Sequence, residues 1–361
     1  MNANRFRDIS YEEFKDLSPA RKTDFFNLDD RPYHTLIAQQ FNRHMLDRLG
    51  LLATRIRRIA KSKTGMRFLS QLLDHRRVML YFSQPSSRTF LSFYAACQIL
   101  GLKAAEVRDA STSSEMKGES PEDTVRTFSS YFDLLIMRTP QQGFAEKMAW
   151  ILSHTERPVP IINAGSGKDQ HPTQALLDIY TLQRSFEKSG GIDGKTVVFV
   201  GDLARGRTVR SLSCLLTNYT NVVQHFVTAE PLQIGKDVLA ELDAKGVTYH
   251  VSNDFESIIP EADAIYMTRI QDEWDQIPGE SGKIDISAYA FRKEHLAKLK
   301  MNAVLMHPLP RRKEIAPEVD SDPRAVYWRQ VRNGMWIRVA LIASTFGVDT
   351  QIDEYAKLNL A

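Results

Sequence analysis

The sequence has few cysteines and no long apolar run. Of its 361 residues only Cys97 and Cys214 are cysteines, too few for a disulfide scaffold or a four-thiolate zinc site. No apolar run reaches the roughly 18 residues of a membrane span, and residues 1–17 lack the apolar stretch of a signal peptide. We therefore expect a cytoplasmic protein without a membrane segment.

An excess of charge of one sign is also missing. Lys and Arg number 47 against 44 Asp and Glu, for a net charge of +3. Binding of nucleic acid or of an anionic membrane usually needs a larger basic field, so we expect neither as a partner. Repeats and low-complexity segments are absent, and the hydrophobic fraction of 43% over this length suits about two cores.

Short apolar segments alternate with amphipathic ones along most of the chain. This alternation predicts an α/β fold with two doubly wound parallel-sheet domains joined by interdomain helices. A Gly-rich stretch at 185–195 marks the boundary, giving domains 1–185 and 186–333, with a C-terminal helix at 334–361 packing back on the first. The predicted strands are 78–82, 104–107, 134–137, 159–163, 196–200, 222–227, 264–267 and 303–306.

Polar residues follow several of these strands, where ligands of parallel sheets bind. Ser86, Ser87, Arg88 and Thr89 follow strand 78–82 and open a helix. Free helix N–H groups, three hydroxyls and one guanidinium together form the outline of a phosphate cradle. The alternative is a simple N-cap cluster with a solvated arginine.

Three further places in the first half are candidates: a predicted strand end, a helix start and a polar loop. Arg138 follows strand 134–137, where it faces a ligand or forms a surface ion pair. His171 and Gln174 flank Pro172, so His171 is either a helix cap or a catalytic group. The loop 109–119 carries Lys117 among serines and glycine, a composition shared by mobile lids and ordinary loops.

The second half presents cationic groups at the same kind of position. Residues 201–208 do not fit G-x-G-x-x-G, which disfavours a dinucleotide site, and they offer Arg207 instead. Arg269 and Gln271 follow strand 264–267, and a His-Pro-Leu-Pro motif begins at His307. Without Cys/His ligand spacing, these residues predict two anionic small substrates, one of them phosphorylated, with no metal and no cofactor.

Taken in order, these motifs resemble those of the aspartate/ornithine carbamoyltransferase family from about residue 76 to 346. Residues 86–89 are similar to its carbamoyl-phosphate loop, and 171–174 to its His-Pro-x-Gln element. Residues 206–208, 269–271 and 307–310 resemble the motifs for the second substrate. Pro308 stands where the ornithine branch is expected to have cysteine, which implies aspartate as that substrate.

The resemblance implies a carbamoyl transfer in pyrimidine synthesis, from carbamoyl phosphate to L-aspartate. It implies that carbamoyl phosphate is bound by Ser86, Ser87, Arg88, Thr89, Arg138, His171 and Gln174. For aspartate it implies Lys117, Arg207, Arg269, Gln271, Leu309 and Pro310. The implied catalytic groups are Arg138, His171, Thr89 and Lys117, within a homotrimer whose neighbouring subunit supplies Ser113 and Lys117. Whether a regulatory chain also binds is left open.

Four positions depart from the family pattern. Ser87 replaces a threonine and Phe90 a common arginine. Gln84 and Trp274 stand where many members have an acidic and a basic residue that hold a closed state. Two alternatives therefore stay open: a carbamoyltransferase for a different amine, or a catalytically weak ligand-binding or assembly subunit. A dihydroorotase-like hydrolase is disfavoured because the nine histidines are dispersed.

Overall fold

Two separate parallel sheets organise the chain. The computed structural model describes residues 5–108, 118–167, 170–272, 284 and 287–360. The chain divides into two compact units, one formed by Met1–Leu176 with Gly334–Ala361 and the other by Leu177–Asn333. Each unit contains one of the large sheets.

The N-terminal segment forms short helices and a small hairpin before the first large sheet. Its elements are α1 (Tyr11–Lys15), α2 (Pro19–Phe26), β1 (Asn27–Leu28), β2 (Arg31–Pro32), α3 (Arg43–Ile59) and α4 (Lys63–Gln71). Phe6, Phe14 and Phe26 from this segment are buried in the same core as Met137 and Met148. Aromatic side chains, which bury large apolar areas, thus attach the N-terminal segment to the first unit.

The first large sheet is parallel and has the strand order β4-β3-β5-β6. Its elements in chain order are β3 (Arg77–Phe82), α5 (Ser87–Ile99), β4 (Lys103–Val107), α6 (Pro121–Tyr131), β5 (Leu134–Thr139), α7 (Phe144–Ser153) and β6 (Ile161–Ser166). Every residue of β5 and β6 is buried. Continuous apolar runs fit such strands because helices cover both faces of a parallel sheet.

The second large sheet is also parallel, with the order β11-β10-β7-β8-β9. Helix α8 (Pro172–Phe186) leads into it from the first unit. Its elements are β7 (Thr196–Val200), α9 (Arg207–Leu216), β8 (Val223–Val227), α10 (Lys236–Ala244), β9 (Tyr249–Ser252), α11 (Phe255–Ile258), β10 (Ala264–Met267) and β11 (Val304–Met306). The predicted fold class, two parallel-sheet α/β units with helices between them, is confirmed.

The C-terminal part returns to the first unit as two helices. Helix α12 (Tyr327–Phe346) ends at Gly347, whose φ of 69° is left-handed, and α13 (Asp349–Asn359) follows. The single helix expected over 334–361 is thus replaced by the end of α12 and a separate α13. Phe68 stacks on Tyr355 with ring centroids 4.0 Å apart, and Arg48 forms an ion pair with Asp349.

A segment near His34 extends the edge of the first sheet. Thr35 donates its N–H to the Ile161 carbonyl and accepts from the Asn163 N–H, both at 2.8 Å. The Nδ1 atom of His34 accepts from the Ile161 N–H at 3.1 Å. Burial lowers the pKa of His34 to about 3, so the imidazole is neutral.

Among the helices of the described residues, none combines the length and the apolar composition that crossing a membrane requires.

Candidate active site

The predicted phosphate cradle lies at the carboxyl end of β3. Ser86 is the N-cap of α5, and its side chain does not occupy the helix N–H groups. Ser87 and Arg88 are exposed, whereas Thr89 is buried. The start of α5 therefore has amide N–H groups that the Ser86 side chain does not cap, and the hydroxyl and guanidinium residues 87–89 lie in this first turn, which suits an anion.

Arg138 lies beside this cradle. It belongs to β5 and pairs with Phe82 of β3, so the expectation that it follows the strand is corrected: the ladder continues to Thr139. Its buried guanidinium donates from Nη1 to the Ala164 carbonyl of β6 at 3.1 Å. Its own carbonyl accepts from the Gln84 N–H at 3.2 Å, which connects β5 to the cradle loop.

His171 approaches Arg138 at Gly165. A Cβ atom built on Gly165 would lie 2.5 Å from Nη1 of Arg138 and 3.4 Å from Cδ2 of His171. Gly165 has a φ of 115°, which other residues rarely adopt, so both space and conformation require glycine. His171 and Gln174 are buried at the start of α8. Because β3, β5 and β6 are adjacent, the predicted carbamoyl-phosphate residues lie near the carboxyl ends of neighbouring strands.

Hydrogen bonds from the N-terminal segment hold the loop that leads to His171. Asn163 donates from Nδ2 to the Leu36 carbonyl at 3.0 Å and accepts the Gly165 N–H at 2.8 Å. Gln170 accepts the Ala38 N–H at 3.0 Å. Asn163 and Gln170 were not predicted from the sequence, because their partners in the N-terminal segment, Leu36 and Ala38, lie more than 120 residues away.

A second set of predicted residues surrounds the carboxyl ends of β7, β10 and β11, which are neighbours in the second sheet. Asp202 is fully buried there and connects two of the loops. It accepts the Arg205 N–H at 3.1 Å and the Gln271 N–H at 3.0 Å. Asp202 therefore orients the backbone of the predicted aspartate-binding residue Gln271.

The two predicted carboxylate-binding arginines lie on two of these loops. Arg207 begins α9, and Arg269 follows β10, where its Nη1 donates to the Ile270 carbonyl at 2.8 Å. Asp272 lies 3.7 Å from Arg269 and accepts two hydrogen bonds from Arg312, at 2.8 and 3.0 Å. A carboxylate of the protein thus stands close to a guanidinium predicted to bind a carboxylate substrate.

Leu309 and Pro310 follow β11. Leu309 has a φ of 57°, and the peptide bond between Leu309 and Pro310 is cis. The N–H of Leu309 donates to Nδ1 of His307 at 2.7 Å. The backbone of the His-Pro-Leu-Pro motif is therefore held by its own histidine.

One cationic residue near the cradle was missed by the sequence argument. The Arg108 guanidinium lies 4.4 Å from the ring centroid of Phe90, the residue after Thr89. Arg108 directly follows β4, so the rule of inspecting strand ends could have found it.

Ser113, Lys117 and Trp274 lie outside the described residues. No group of three His, Cys, Asp or Glu side chains able to hold a metal occurs in the part of the chain that the structure describes.

Comparison with known proteins places the chain in a family. The sequence model of the aspartate/ornithine carbamoyltransferase carbamoyl-P binding domain matches residues 33–184, and that of the Asp/Orn binding domain matches residues 193–345. The chain belongs to the aspartate/ornithine carbamoyltransferase family. The resemblance identified from the motifs is thereby confirmed.

Individual members of this carbamoyltransferase family are similar over most of the chain. The chloroplastic aspartate carbamoyltransferase of Arabidopsis thaliana is 40% identical, covering 84% of this chain and 75% of that protein. A multifunctional protein of Dictyostelium discoideum is 41% identical over 89% of this chain, which spans only 14% of that protein. Aspartate transcarbamoylase of Trypanosoma cruzi, in complex with N-(phosphonacetyl)-L-aspartic acid, has a TM-score of 0.78 at 35% identity, covering 89% of this chain and 98% of that one.

Proposed function

We propose that this protein is an aspartate carbamoyltransferase. It transfers the carbamoyl group of carbamoyl phosphate to the amino group of L-aspartate, yielding N-carbamoyl-L-aspartate and phosphate for pyrimidine synthesis. The observation that carries the proposal is the approach of Arg138 and His171 at Gly165, beside the N-terminus of α5. Named relatives and structures with aspartate, carbamoyl phosphate and carbamoyl aspartate support the same substrates.

The first unit binds carbamoyl phosphate in this proposal. Ser86, Ser87, Arg88 and Thr89 hold the phosphate, and each charge-assisted hydrogen bond contributes about 1.5 to 3 kcal/mol. Arg138, His171 and Thr89 face the carbonyl oxygen, where negative charge grows as the amine attacks. Donors fixed in advance around that oxygen stabilise the transition state more than the ground state. Gln174 binds the carbamoyl amide.

The second unit binds aspartate. Arg207 and Arg269 each match a carboxylate through their forked N–H groups, and Gln271 adds a polar contact. Carbonyls near Leu309 and Pro310 accept from the attacking amine. The C–N bond forms as the C–O bond to phosphate breaks, and the departing phosphate takes the amine proton.

A homotrimer that shares its sites between subunits completes the proposal. In a ring, each subunit offers one surface to a neighbour and receives a different one. Ser113 and Lys117 then reach the cradle of the neighbouring subunit, where Lys117 binds aspartate and acts as a catalytic group. The motif resemblance around these residues supports this arrangement.

The deciding experiment measures transfer from radiolabelled carbamoyl phosphate to aspartate, to ornithine and to a panel of other amines. We expect labelled N-carbamoyl-L-aspartate and no labelled citrulline. Transfer only to a different amine would instead support a carbamoyltransferase of other specificity, to which Gln84 and Trp274 would contribute. Tight binding of a phosphonate analogue without any turnover would support a ligand-binding subunit.

A further inference from the structure

The loop after β11 is built around a buried histidine–glutamate pair in the second unit. His307 is 1% exposed and Glu314 is 4% exposed. Nε2 of His307 lies 2.7 Å from Oε1 of Glu314, and Nδ1 accepts the Leu309 N–H at 2.7 Å. The imidazole therefore contacts the predicted aspartate-binding loop on one edge and a carboxylate on the other.

These contacts determine which ring nitrogen carries the proton. The Leu309 N–H is a donor, so Nδ1 of His307 acts as the acceptor and Nε2 carries the hydrogen. Nε2 then donates to Glu314, which also accepts the Arg312 N–H at 3.0 and 3.1 Å. Burial raises the pKa of Glu314, but the hydrogen bonds from His307 and from backbone N–H groups, including that of Arg312, outweigh burial and lower the pKa overall. The carboxylate thus stays an acceptor at neutral pH.

The backbone that this pair holds is in an unfavourable conformation. Leu309 has a φ of 57°, in the left-handed region that residues with a side chain rarely enter. The hydrogen bond from its N–H to His307 stabilises this conformation. The His307 backbone N–H donates in turn to Oε1 of Gln330 on α12 at 3.0 Å. The main chain that carries the imidazole is therefore also held in place.

We infer that Glu314 is a positioning residue for the aspartate-binding loop. It selects the His307 tautomer that accepts from Leu309, and so it orients the Leu309 and Pro310 carbonyls toward the second substrate. The inference rests on the proposed function for its kinetic consequence, whereas the tautomer and the loop conformation can be tested without any activity.

The same unit contains a second histidine–glutamate pair, in which the glutamate is exposed rather than buried. Nε2 of buried His295 lies 2.7 Å from Oε1 of Glu256, and Nδ1 accepts the Arg292 N–H at 3.0 Å. This pair repeats the hydrogen-bond pattern in a segment that carries none of the predicted site residues. Replacing Glu256 therefore controls for the general effect of breaking a histidine–carboxylate contact.

The experiment compares Glu314→Leu, Glu314→Gln and Glu256→Leu in the full chain. Glu314→Leu should raise the aspartate KM and lower kcat, together by about tenfold to a hundredfold, because a small displacement of positioning groups is costly. Its affinity for carbamoyl phosphate, measured by calorimetry, should stay within about twofold. Glu314→Gln retains a carbonyl oxygen for Nε2 and should recover most of the loss. Glu256→Leu should leave the kinetic constants unchanged.

Two measurements test the inference independently of turnover. Nitrogen-15 NMR of the imidazoles should show His307 protonated at Nε2, and exchange of the Leu309 amide should accelerate in Glu314→Leu but not in Glu256→Leu. A His307 protonated at Nδ1, or a folded Glu314→Leu variant with wild-type aspartate KM and Leu309 exchange, would overturn the inference. If Glu314→Leu does not fold, Glu314→Asp moves the carboxylate away from Nε2 of His307 while keeping the charge. The aspartate KM and the Leu309 exchange of that variant then test the inference in the same way. Absence of aspartate carbamoylation in the wild type would refute the proposed function alone.

Discussion

Arg138 is a predicted catalytic residue with closely constrained surroundings. It is buried between β3 and β6, and Gly165 leaves room for its guanidinium. Arg138→Ala should lower kcat by about a hundredfold or more, since loss of one oxyanion donor has that effect. Steady-state kinetics check this, with exposed Arg157→Ala as the control. A drop below about tenfold in a folded variant would remove Arg138 from the site.

Arg108 offers a second test at the level of single residues. Its guanidinium stands over Phe90, at the position where the family commonly has an arginine. If Arg108 supplies the missing positive charge, Arg108→Ala should raise the carbamoyl-phosphate KM by about threefold to tenfold, the cost of one partly exposed cation–phosphate contact.

Arg108→Lys should restore part of the affinity, and Arg67→Ala on the exposed surface of α4 should change nothing. An unchanged carbamoyl-phosphate KM in Arg108→Ala would show that the guanidinium only packs on the ring. Measuring the aspartate KM in the same variants separates a local effect on phosphate from a general loss of activity.

Sequence patterns could identify the residues that face substrates better than those that support them. Arg138, His171 and Arg269 are all near strand ends, a rule that needs only the strand pattern. Asp202, Asn163 and Gln170 act through hydrogen bonds to residues far away in sequence, so only the folded chain reveals their partners. Glu314 is close to His307 in sequence, yet a buried pair looks like any two polar loop residues until burial is known.

At the level of elements, prediction succeeded where strands are buried. β3, β5, β7 and β10 are built mainly on runs of apolar residues, and their helices alternate as expected. β9 was missed because none of its four residues is buried, so it has no apolar run. The N-terminal helices α1 and α2 were missed because they are short and stabilised by aromatic contacts made in the folded unit rather than by their own periodicity.

The edge segment at His34 makes the first unit sensitive to acid. The pKa of His34 is lowered from 6.5 to about 3 by burial, so the unfolded chain binds a proton that the folded chain does not. The contribution of His34 to the free energy of unfolding is fully present above pH 6.5. It should fall by up to about 1.4 kcal/mol per pH unit as the pH decreases toward 3. His34→Asn should be less stable at pH 7.5 but should lose stability less steeply in acid.

Urea denaturation at a series of pH values measures this slope. His75→Asn, at an exposed position, is the matched control and should keep the wild-type slope. Equal slopes for the wild type and His34→Asn would mean that His34 accepts a proton without unfolding of the sheet edge.

At the level of the whole molecule, the shared-site trimer can be tested by subunit exchange. Lys117→Ala and Arg88→Ala chains, each inactive alone, are dissociated, mixed equally and reassembled. Random assembly yields about three quarters mixed trimers, each with one intact junction in three, so about a quarter of wild-type activity should return.

Arg88→Ala mixed with Arg138→Ala is the control for this exchange. Arg88 and Arg138 belong to the first unit of the same chain. Each site therefore takes both arginines from one chain, and every site in a mixed ring lacks one of them. Activity restored in that mixture, or none restored by Lys117→Ala with Arg88→Ala after exchange is confirmed by mass, would contradict the shared site.

The return of the chain to its first unit affects the order in which the protein can fold during synthesis. The first unit is completed by Gly334–Ala361, which includes α13 against α3 and the stack of Tyr355 on Phe68. On the ribosome, residues 177–333 leave the exit tunnel before this segment does. The second unit can therefore fold while the first still lacks part of its core, and nascent chains expose the apolar faces of α3 and α4 until translation reaches α13.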